Sequence, residues 1–290
     1  MKLLSYERDG AVRHGRLLDD GRIAELGDGD LGAVIVALDG RWDRLTTAVS
    51  GTYDPAGVRV LAPVPTPPKV LAAAANYQEH VLEGGGEPLV KERLAPRMFL
   101  KPGTSVTGPD TVIALPDTSA QIDWEAELVV VLGRGGRDVP VADALGLVAG
   151  YAVGNDVSAR SLDLGYERDA GAPGASAEWF FDWLAGKWFD GFAPFGPWLV
   201  TPDEVGDPQD LAVRLEVNGK LRQDGNTRDM IFTVAELIAH CSRLMTLQPG
   251  DVIFTGTPSG VGAATGEFLR PGDEMTVTVD GLGTLANTVR

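Results

Sequence analysis

Cysteine and histidine are scarce in this chain, and their scarcity excludes several kinds of site. The single cysteine, Cys241, excludes an internal disulfide and every metal site built from several cysteines. The three histidines, His14, His80 and His240, contain no pair at the spacing of a zinc site. The sequence therefore argues against a zinc enzyme.

Long hydrophobic runs and an excess of positive charge are also missing. No apolar run approaches the roughly 18 residues that span a bilayer, and charge within the first nine residues argues against a signal peptide. The 290 residues include 25 basic and 41 acidic side chains, and the net charge of −16 repels nucleic-acid phosphates and anionic lipids. We therefore expect a cytoplasmic protein that binds neither nucleic acid nor membrane.

Short strands separated by glycine and proline turns dominate what is present. Hairpin signals and a short helix over 31–38 predict a small β-rich N-terminal domain, residues 1–65. A proline-rich linker at 63–68 leads into the main domain, residues 66–290. Because strands outnumber helices and do not alternate with them, the predicted fold is mostly β or α+β rather than a doubly wound sheet.

Two segments of the main domain have clear local signals. Residues 123–132 predict one strand, and its apolar part, 128–132, is expected to be buried on both faces. Thr233 and Glu236 have the spacing of a capping box, which predicts the start of a helix that ends near Gln248.

Glu125 and Glu127 lie at the beginning of the predicted buried strand. Side chains at positions i and i+2 of a strand point to the same face, about 6–7 Å apart. Two carboxylates in this arrangement repel each other unless a cation lies between them. A metal ion is one explanation, and a solvated strand end or pairing with Arg134 or Arg137 is the other.

Asp156 supplies a third carboxylate, directly after the apolar segment 147–155. A set of three carboxylates suits a hard divalent ion such as Mg²⁺, Mn²⁺ or Ca²⁺, and it leaves coordination positions for water and substrate. The third carboxylate therefore strengthens the metal-site interpretation of the two glutamates.

His80 and Glu83 form a second candidate pair, three residues apart. In a helical turn they face each other, so that Glu83 could orient the imidazole. Three glycines follow at 84–86 and suit a segment that closes over a ligand. We expect residues 77–86 to be mobile without substrate, although the pair taken alone also fits a surface helix end.

Several sequence blocks, covering roughly residues 70 to 290, are similar to the fumarylacetoacetate hydrolase family. In chain order they are Asn76-Tyr77-x-x-His80-x-x-Glu83, Lys101-Pro102, Asp123-Trp124-Glu125-Ala126-Glu127-Leu128, Gly154-Asn155-Asp156-Val157-Ser158-Ala159-Arg160, Gly186-Lys187, Phe192-Ala193-Pro194-Phe195-Gly196-Pro197, and Pro249-Gly250-Asp251 to Gly262. The resemblance implies a fold of strongly bent, rolled β-sheets and a homodimer.

The resemblance also implies roles for individual residues. The metal ligands would be Glu125, Glu127 and Asp156, with Mg²⁺ or Mn²⁺ as the ion and Ca²⁺ as a further option. His80 and Glu83 match the catalytic pair that activates water.

Other positions match the family's substrate-binding residues. Arg160 and Lys187 correspond to residues that contact the substrate's carboxylate or enolate oxygens and take part in catalysis. Thr257 corresponds to a further contact, and Tyr77 and Asp163 are additional candidates for binding the substrate.

The function that the resemblance implies is metal-dependent hydrolysis of a C–C bond in acylpyruvate-type 2-oxo or 1,3-dicarbonyl acids, a chemistry of aromatic catabolism. A decarboxylase of oxaloacetate or an isomerase of the same family is the alternative. An inactive metal-binding structural protein is a third interpretation, and the retained His80, Glu83, Arg160 and Lys187 argue against it.

The chain departs from the family pattern after Arg160. Asp163 stands near the position where the family often has glutamine, and the segment 164–183, with its cluster of Trp and Phe, is longer than expected. If this segment lines the pocket, Asp163 would disfavour a second substrate carboxylate and favour a neutral acyl group. Its aromatic side chains would fit a dimer contact equally well.

Overall fold

This computed structural model describes residues 1–39, 41–45, 48–165 and 175–290, and these residues contain nineteen β-strands and seven α-helices. The strands are β1 (Lys2–Arg8), β2 (Ala11–Leu17), β3 (Ile23–Asp28), β4 (Gly51–Tyr53), β5 (Arg59–Val60), β6 (Val70–Ala74), β7 (Arg97–Lys101), β8 (Val106–Thr107), β9 (Val112–Ile113), β10 (Ile122–Asp123), β11 (Ala126–Leu132), β12 (Val148–Asn155), β13 (Ser158–Ala159), β14 (Ala193–Val200), β15 (Ala212–Val217), β16 (Lys220–Asn226), β17 (Val252–Phe254), β18 (Glu274–Val279) and β19 (Gly283–Val289). The helices are α1 (Leu31–Leu38), α2 (Gln78–Glu83), α3 (Val141–Ala144), α4 (Ala175–Ala185), α5 (Pro202–Val205), α6 (Val234–Leu244) and α7 (Gly262–Thr265).

The larger sheet has the strand order β4-β3-β2-β1-β14-β12-β11-β17-β6-β7, with β5 beside β1 and β8 beside β14. Strands β11 and β12 lie near its centre and are buried along their whole length, as their continuous apolar runs predict. The N-terminal strands join this sheet where β1 pairs with β14. The mostly β fold is confirmed, whereas a separate domain over residues 1–65 stays a prediction.

A second sheet, with the order β16-β15-β18-β19-β9, packs against the first. Strands β15, β18 and β19 alternate buried and more exposed side chains, as in β18, where Met275, Val277 and Val279 are buried. On β11, Leu128 and Val130 belong to the core that this second sheet covers. The neighbouring Val129 and Val131 belong to a core on the opposite face, which contains apolar side chains of α1.

The predicted helices over 31–38 and after Thr233 are confirmed. Thr233 and Glu236 form the capping box, and α6 ends at Leu244, before the predicted Gln248. No helix in the described part of the chain is long and apolar enough to cross a bilayer.

The single strand predicted over 123–132 is wrong, because the structure divides it. Asp123 belongs to β10, which pairs with β13 in a two-stranded sheet, whereas β11 begins at Ala126. Between them, the backbone N–H of Glu125 donates to Asn155 Oδ1 over 2.8 Å, so a side chain replaces the usual ladder partner. This break turns the chain just where the first predicted metal ligand lies.

Candidate active site

Three buried carboxylates meet where β11 begins and β12 ends. Glu125 precedes β11, Glu127 is its second residue, and Asp156 follows β12; one oxygen of each lies within 4.8 Å of the others. The register places Glu127 opposite Gly154, two residues before Asp156, and this pairing brings the three side chains together. The structure thus assembles the three predicted ligands into one cluster.

Gln223 of β16 fixes the backbone between the two glutamates. Its amide oxygen accepts a hydrogen bond from Ala126 N, and its amide nitrogen donates to Thr257 Oγ1 and Pro258 O, each over 2.8 Å. The Thr257 hydroxyl in turn donates to Ala126 O over 2.9 Å. The second sheet therefore holds both the start of β11 and the loop after β17. Sequence analysis missed Gln223, since nothing in β16 distinguishes it from its polar neighbours.

Gln223→Leu is expected to lower the free energy of unfolding by about 3 kcal/mol, because it leaves several buried polar groups without partners. Urea unfolding monitored by fluorescence would measure the change. The matched control is Gln121→Leu at an exposed position, for which a change below about 0.5 kcal/mol is expected. Equal effects of the two substitutions would contradict the role of Gln223.

Lys187 carries a buried positive charge into the cluster. Its Nζ lies 2.7 Å from Glu125 Oε2 and 2.8 Å from Asp156 Oδ2. Gly186 makes this position possible, because a Cβ there would lie 2.1 Å from the carbonyl oxygen of Ala159. Lys187 is thus held against two of the three carboxylates, while its role in binding substrate stays a prediction.

Lys101, at the end of β7, is a second buried cation, and sequence analysis gave it no role at the site. It forms an ion pair with Asp156, and its Nζ donates to Phe192 O over 2.9 Å. Its position directly after the apolar run 98–100 was the available signal, because a lysine that becomes buried needs a charged partner.

Arg160 completes the charged surroundings. Its Nε lies 2.8 Å from Asp123 Oδ2, and its Nη2 lies 2.6 Å from Glu125 Oε1. Burial alone would lower the pKa of Arg160, but the two carboxylates outweigh that effect and raise it. Asp123 also accepts hydrogen bonds from the backbone N–H groups of Gly262 and Ala263, so it anchors the loop beside the site.

The three carboxylates have different electrostatic surroundings. Burial would raise the pKa of Glu125, but Lys187 and Arg160 lower it to about 2. Burial raises the pKa of Glu127, and Asp156 and Glu125 raise it further. Glu127 Oε2 accepts a hydrogen bond from a backbone N–H, whereas its buried Oε1 has no partner among the described residues. Glu127 is therefore the carboxylate whose charge most lacks compensation.

The charge balance fits a divalent cation. Four buried carboxylates, Asp123, Glu125, Glu127 and Asp156, face two buried lysines, Lys101 and Lys187, and the partly buried Arg160. A divalent ion would change the net charge from −1 to +1, which one substrate carboxylate would neutralise. The all-oxygen donor set and the unpartnered Oε1 of Glu127 suit Mg²⁺ or Mn²⁺.

His80 and Glu83 face each other on helix α2, as predicted. His80 Nδ1 lies 2.8 Å from Glu83 Oε1, and Glu83 Oε2 accepts a hydrogen bond from Gly260 N over 2.7 Å. With Nδ1 donating to Glu83, the Nε2 of His80 is free to accept a proton. The His–Glu pair is thus anchored to the same loop that carries Thr257.

The segment 77–86 is helical over Gln78–Glu83, with Gly84 as the C-cap, and the next residue, Gly85, has a φ of 76°. We expect its amides to exchange with deuterium much faster than those of α6, and to slow by about tenfold when Mn²⁺ and oxalate are added together. Exchange measured by mass spectrometry would test this. Equally slow exchange in α2 and α6 without additives would contradict a mobile segment.

A cavity of about 440 Å³ opens beside the charged cluster. Its lining includes the predicted site residues His80, Glu125, Arg160, Lys187 and Thr257. The other lining residues are Ala73, Ala74, Ala75, Arg97, Met98, Phe99, Trp179, Phe180 and Trp183. Helix α4 therefore supplies an aromatic wall, one of the two roles predicted for that segment.

Two predicted substrate-binding residues do not reach this cavity. Asp163 is exposed, and its carboxylate accepts a hydrogen bond from Gly165 N over 3.0 Å. Tyr77 is buried, and its hydroxyl has no partner among the described residues; burial and the nearby Glu127 raise its pKa. Residues 166–174 of the unusual segment lie outside the described residues. Asp163 thus provides no argument against a second substrate carboxylate.

Comparison with known proteins agrees with this geometry. Residues 69–290 match the family model described as the fumarylacetoacetate (FAA) hydrolase C-terminal domain. A fumarylacetoacetate hydrolase from Exiguobacterium antarcticum is 35% identical, with a TM-score of 0.81 and coverage of 100% of this chain and 99% of the other.

Two further solved structures cover the whole chain. A 5-carboxymethyl-2-hydroxymuconate delta-isomerase from Mycobacterium smegmatis is 34% identical, with a TM-score of 0.77 and 99% of its own chain covered. A maleylpyruvate hydrolase from Sphingobium sp. SYK-6, solved with manganese(II) and pyruvate, is 30% identical, with a TM-score of 0.76 and 98% coverage. The chain is an enzyme of the fumarylacetoacetate hydrolase family.

Proposed function

We propose that the enzyme hydrolyses a C–C bond in acylpyruvate-type 2-oxo acids with the help of a divalent ion. The observation that carries the proposal is the meeting of a three-carboxylate cluster and an anchored His–Glu pair at one cavity. The similar maleylpyruvate hydrolase solved with manganese(II) and pyruvate supports the metal and the pyruvate half of the substrate.

The residues of the chain divide the reaction between them. A bound ion, held by Glu125, Glu127 and Asp156, would supply Lewis-acid stabilisation of negative charge on the substrate oxygens. The guanidinium of Arg160 offers a planar fork for the substrate carboxylate, and the ammonium of Lys187 offers a point charge for the oxyanion that develops.

In the proposed reaction His80 acts as the general base. Its Nε2 takes a proton from water while the water oxygen attacks the acyl carbonyl, and Glu83 holds the imidazole in the required tautomer. The C–C bond then breaks, and its electron pair passes to the pyruvate half as an enolate. Protonation of the enolate carbon that was bonded to the acyl group gives pyruvate, and the acyl group leaves as a carboxylic acid.

Isomerisation or decarboxylation is the second candidate. The similar delta-isomerase supports isomerisation within the same fold. Decarboxylation of a β-keto acid such as oxaloacetate needs the electron sink but no activated water. The anchored His–Glu pair would have no function in that reaction, and it therefore favours hydrolysis.

The test is a panel of acylpyruvates and oxaloacetate with Mg²⁺ or Mn²⁺, with EDTA as the control. We expect loss of enol absorbance from acylpyruvates and release of equal amounts of pyruvate and acid. Carbon dioxide from oxaloacetate without acylpyruvate cleavage, or tautomerisation without cleavage, would overturn the proposal. We further propose that the protein is a cytoplasmic homodimer. Sedimentation of the purified protein would test the oligomeric state.

A further inference from the structure

A second cavity, of about 490 Å³, shares no lining residue with the first. Three segments form it: residues 94–96 before β7, residues 138–141 at the start of α3, and helix α6 together with Phe232, which precedes that helix. Its volume falls in the range of about 300–1,000 Å³ that is typical of small-molecule sites. The proposed reaction uses none of its lining residues, so this cavity is a candidate for a separate ligand.

The two acidic side chains of the second cavity already have positively charged partners. Glu236 Oε2 lies 2.8 Å from Lys91 Nζ and also accepts a hydrogen bond from the backbone N–H of Thr233 over 2.7 Å. Asp138 Oδ2 lies 3.7 Å from Arg137 Nε. Because each carboxylate has a cation beside it, the two repel an incoming anion less than unpaired carboxylates would.

The two basic side chains of the cavity, His240 and Arg243, have no such partners. They lie three residues apart on α6 and therefore on the same face of the helix. Among the described residues, no carboxylate forms an ion pair with either of them. Burial lowers the pKa of His240, and Arg243 lowers it further, so the imidazole is neutral at pH 7 and donates one N–H. The face thus offers an anion one cation and one neutral donor.

Apolar side chains supply much of the remaining lining. They include Leu94, Pro96, Val139, Pro140 and Phe232. The proline rings and the phenyl ring offer flat surfaces that suit a planar apolar body. A ligand that fits this cavity therefore combines a planar body with a single anionic group.

Phe232 also connects the second cavity with the helix that carries His80. Its backbone N–H donates to Asn76 Oδ1 over 2.8 Å, and its carbonyl accepts a hydrogen bond from Asn76 Nδ2 over 3.0 Å. Asn76 directly precedes Tyr77, the N-cap residue of α2. A ligand held against Phe232 therefore has a short hydrogen-bonded connection to the start of α2.

We propose that the second cavity binds a small aromatic carboxylic acid, with its carboxylate on Arg243 and His240 and its ring against Phe232, and that this binding restrains helix α2. The inference does not depend on the proposed hydrolase function, because the two cavities have no residue in common. The coupling is reciprocal by thermodynamic linkage, so a ligand that orders α2 from the first cavity also strengthens binding in the second.

The probe is benzoate, and benzamide, which has the same ring without the charge, is the control ligand. In calorimetric titrations of the full chain with saturating Mn²⁺ and oxalate, benzoate is expected to bind at least about tenfold more tightly than benzamide. Arg243→Gln should remove this difference. Arg270→Gln, at an exposed position that does not line the cavity, is the matched control and should keep it. Absent benzoate binding, equal binding of benzamide, or wild-type affinity for benzoate in Arg243→Gln would overturn the site.

Deuterium exchange without Mn²⁺ and oxalate tests the coupling to α2. Benzoate should slow exchange of the α2 amides by about two- to fivefold in the wild type and should leave it unchanged in Arg243→Gln. Unchanged exchange in the wild type, or equal slowing in the variant, would overturn the coupling. Because no measurement here depends on acylpyruvate cleavage, failure of the proposed function would leave this inference standing.

Discussion

Glu127→Gln is expected to abolish metal-dependent stabilisation and turnover together. Glu127 contributes the buried oxygen that has no partner among the described residues, and glutamine replaces its negative charge at nearly the same volume. Because a ligand that binds only the folded state stabilises it, Mn²⁺ is expected to raise the Tm of the wild type, and loss of the site should remove this increase. Calorimetric titration and thermal unfolding, with and without Mn²⁺, would measure both effects.

The same substitution has a second signature. Without added metal, Glu127→Gln should be at least as stable as the wild type, because it removes one of several buried like charges that burial and Asp156 disfavour. Glu216→Gln, at an exposed position on β15, is the control and should respond to Mn²⁺ as the wild type does. Wild-type affinity for Mn²⁺ in Glu127→Gln would show that the three carboxylates are not the metal site.

His80→Ala is expected to lower the rate of acylpyruvate hydrolysis by about 10²–10⁴-fold, the usual contribution of a general base. Mn²⁺ affinity should not change, because His80 is not one of the clustered carboxylate ligands. Steady-state kinetics with saturating Mn²⁺, together with a metal titration of the same variant, would check both statements.

Two comparisons sharpen the His80 result. Glu83→Gln should lower the rate by a smaller factor, since it disturbs the orientation of the imidazole without removing the base. His240→Ala, a histidine that does not line the cavity, should leave hydrolysis unchanged. Unchanged hydrolysis in His80→Ala would show that another group activates the water.

The sequence predicted those parts of the site that depend on short-range geometry. Helical spacing predicted that His80 faces Glu83, and Asp156 was predicted from its position after an apolar segment. Glu125 and Glu127 also lie close together, but strand alternation is not the reason, because the strand is broken and Glu125 precedes β11.

The remaining parts depend on contacts between distant segments. Gln223 is 97 residues away from Ala126 in sequence, and it reaches the cluster only because the second sheet packs over β11. Arg97 lies at the cavity only because β7 pairs with β6. No local period encodes either placement. Asp163 is a different case, because it is close in sequence to Arg160 and a local turn directs its carboxylate towards Gly165.

The aromatic wall of the cavity and the carboxylate cluster come from different segments of the chain. Helix α4 contributes Trp179, Phe180 and Trp183, while the cluster is built where β11 and β12 meet. Trp183 also lies beside Lys187, with Nζ 5.8 Å from the ring centroid, whereas no such contact joins Trp179 or Phe180 to the cluster among the described residues. Substitutions at Trp179 and Phe180 are therefore expected to change the space for the acyl group and to leave the carboxylate cluster unchanged, so that relatives could diverge in substrate range at these two positions while the reaction is retained.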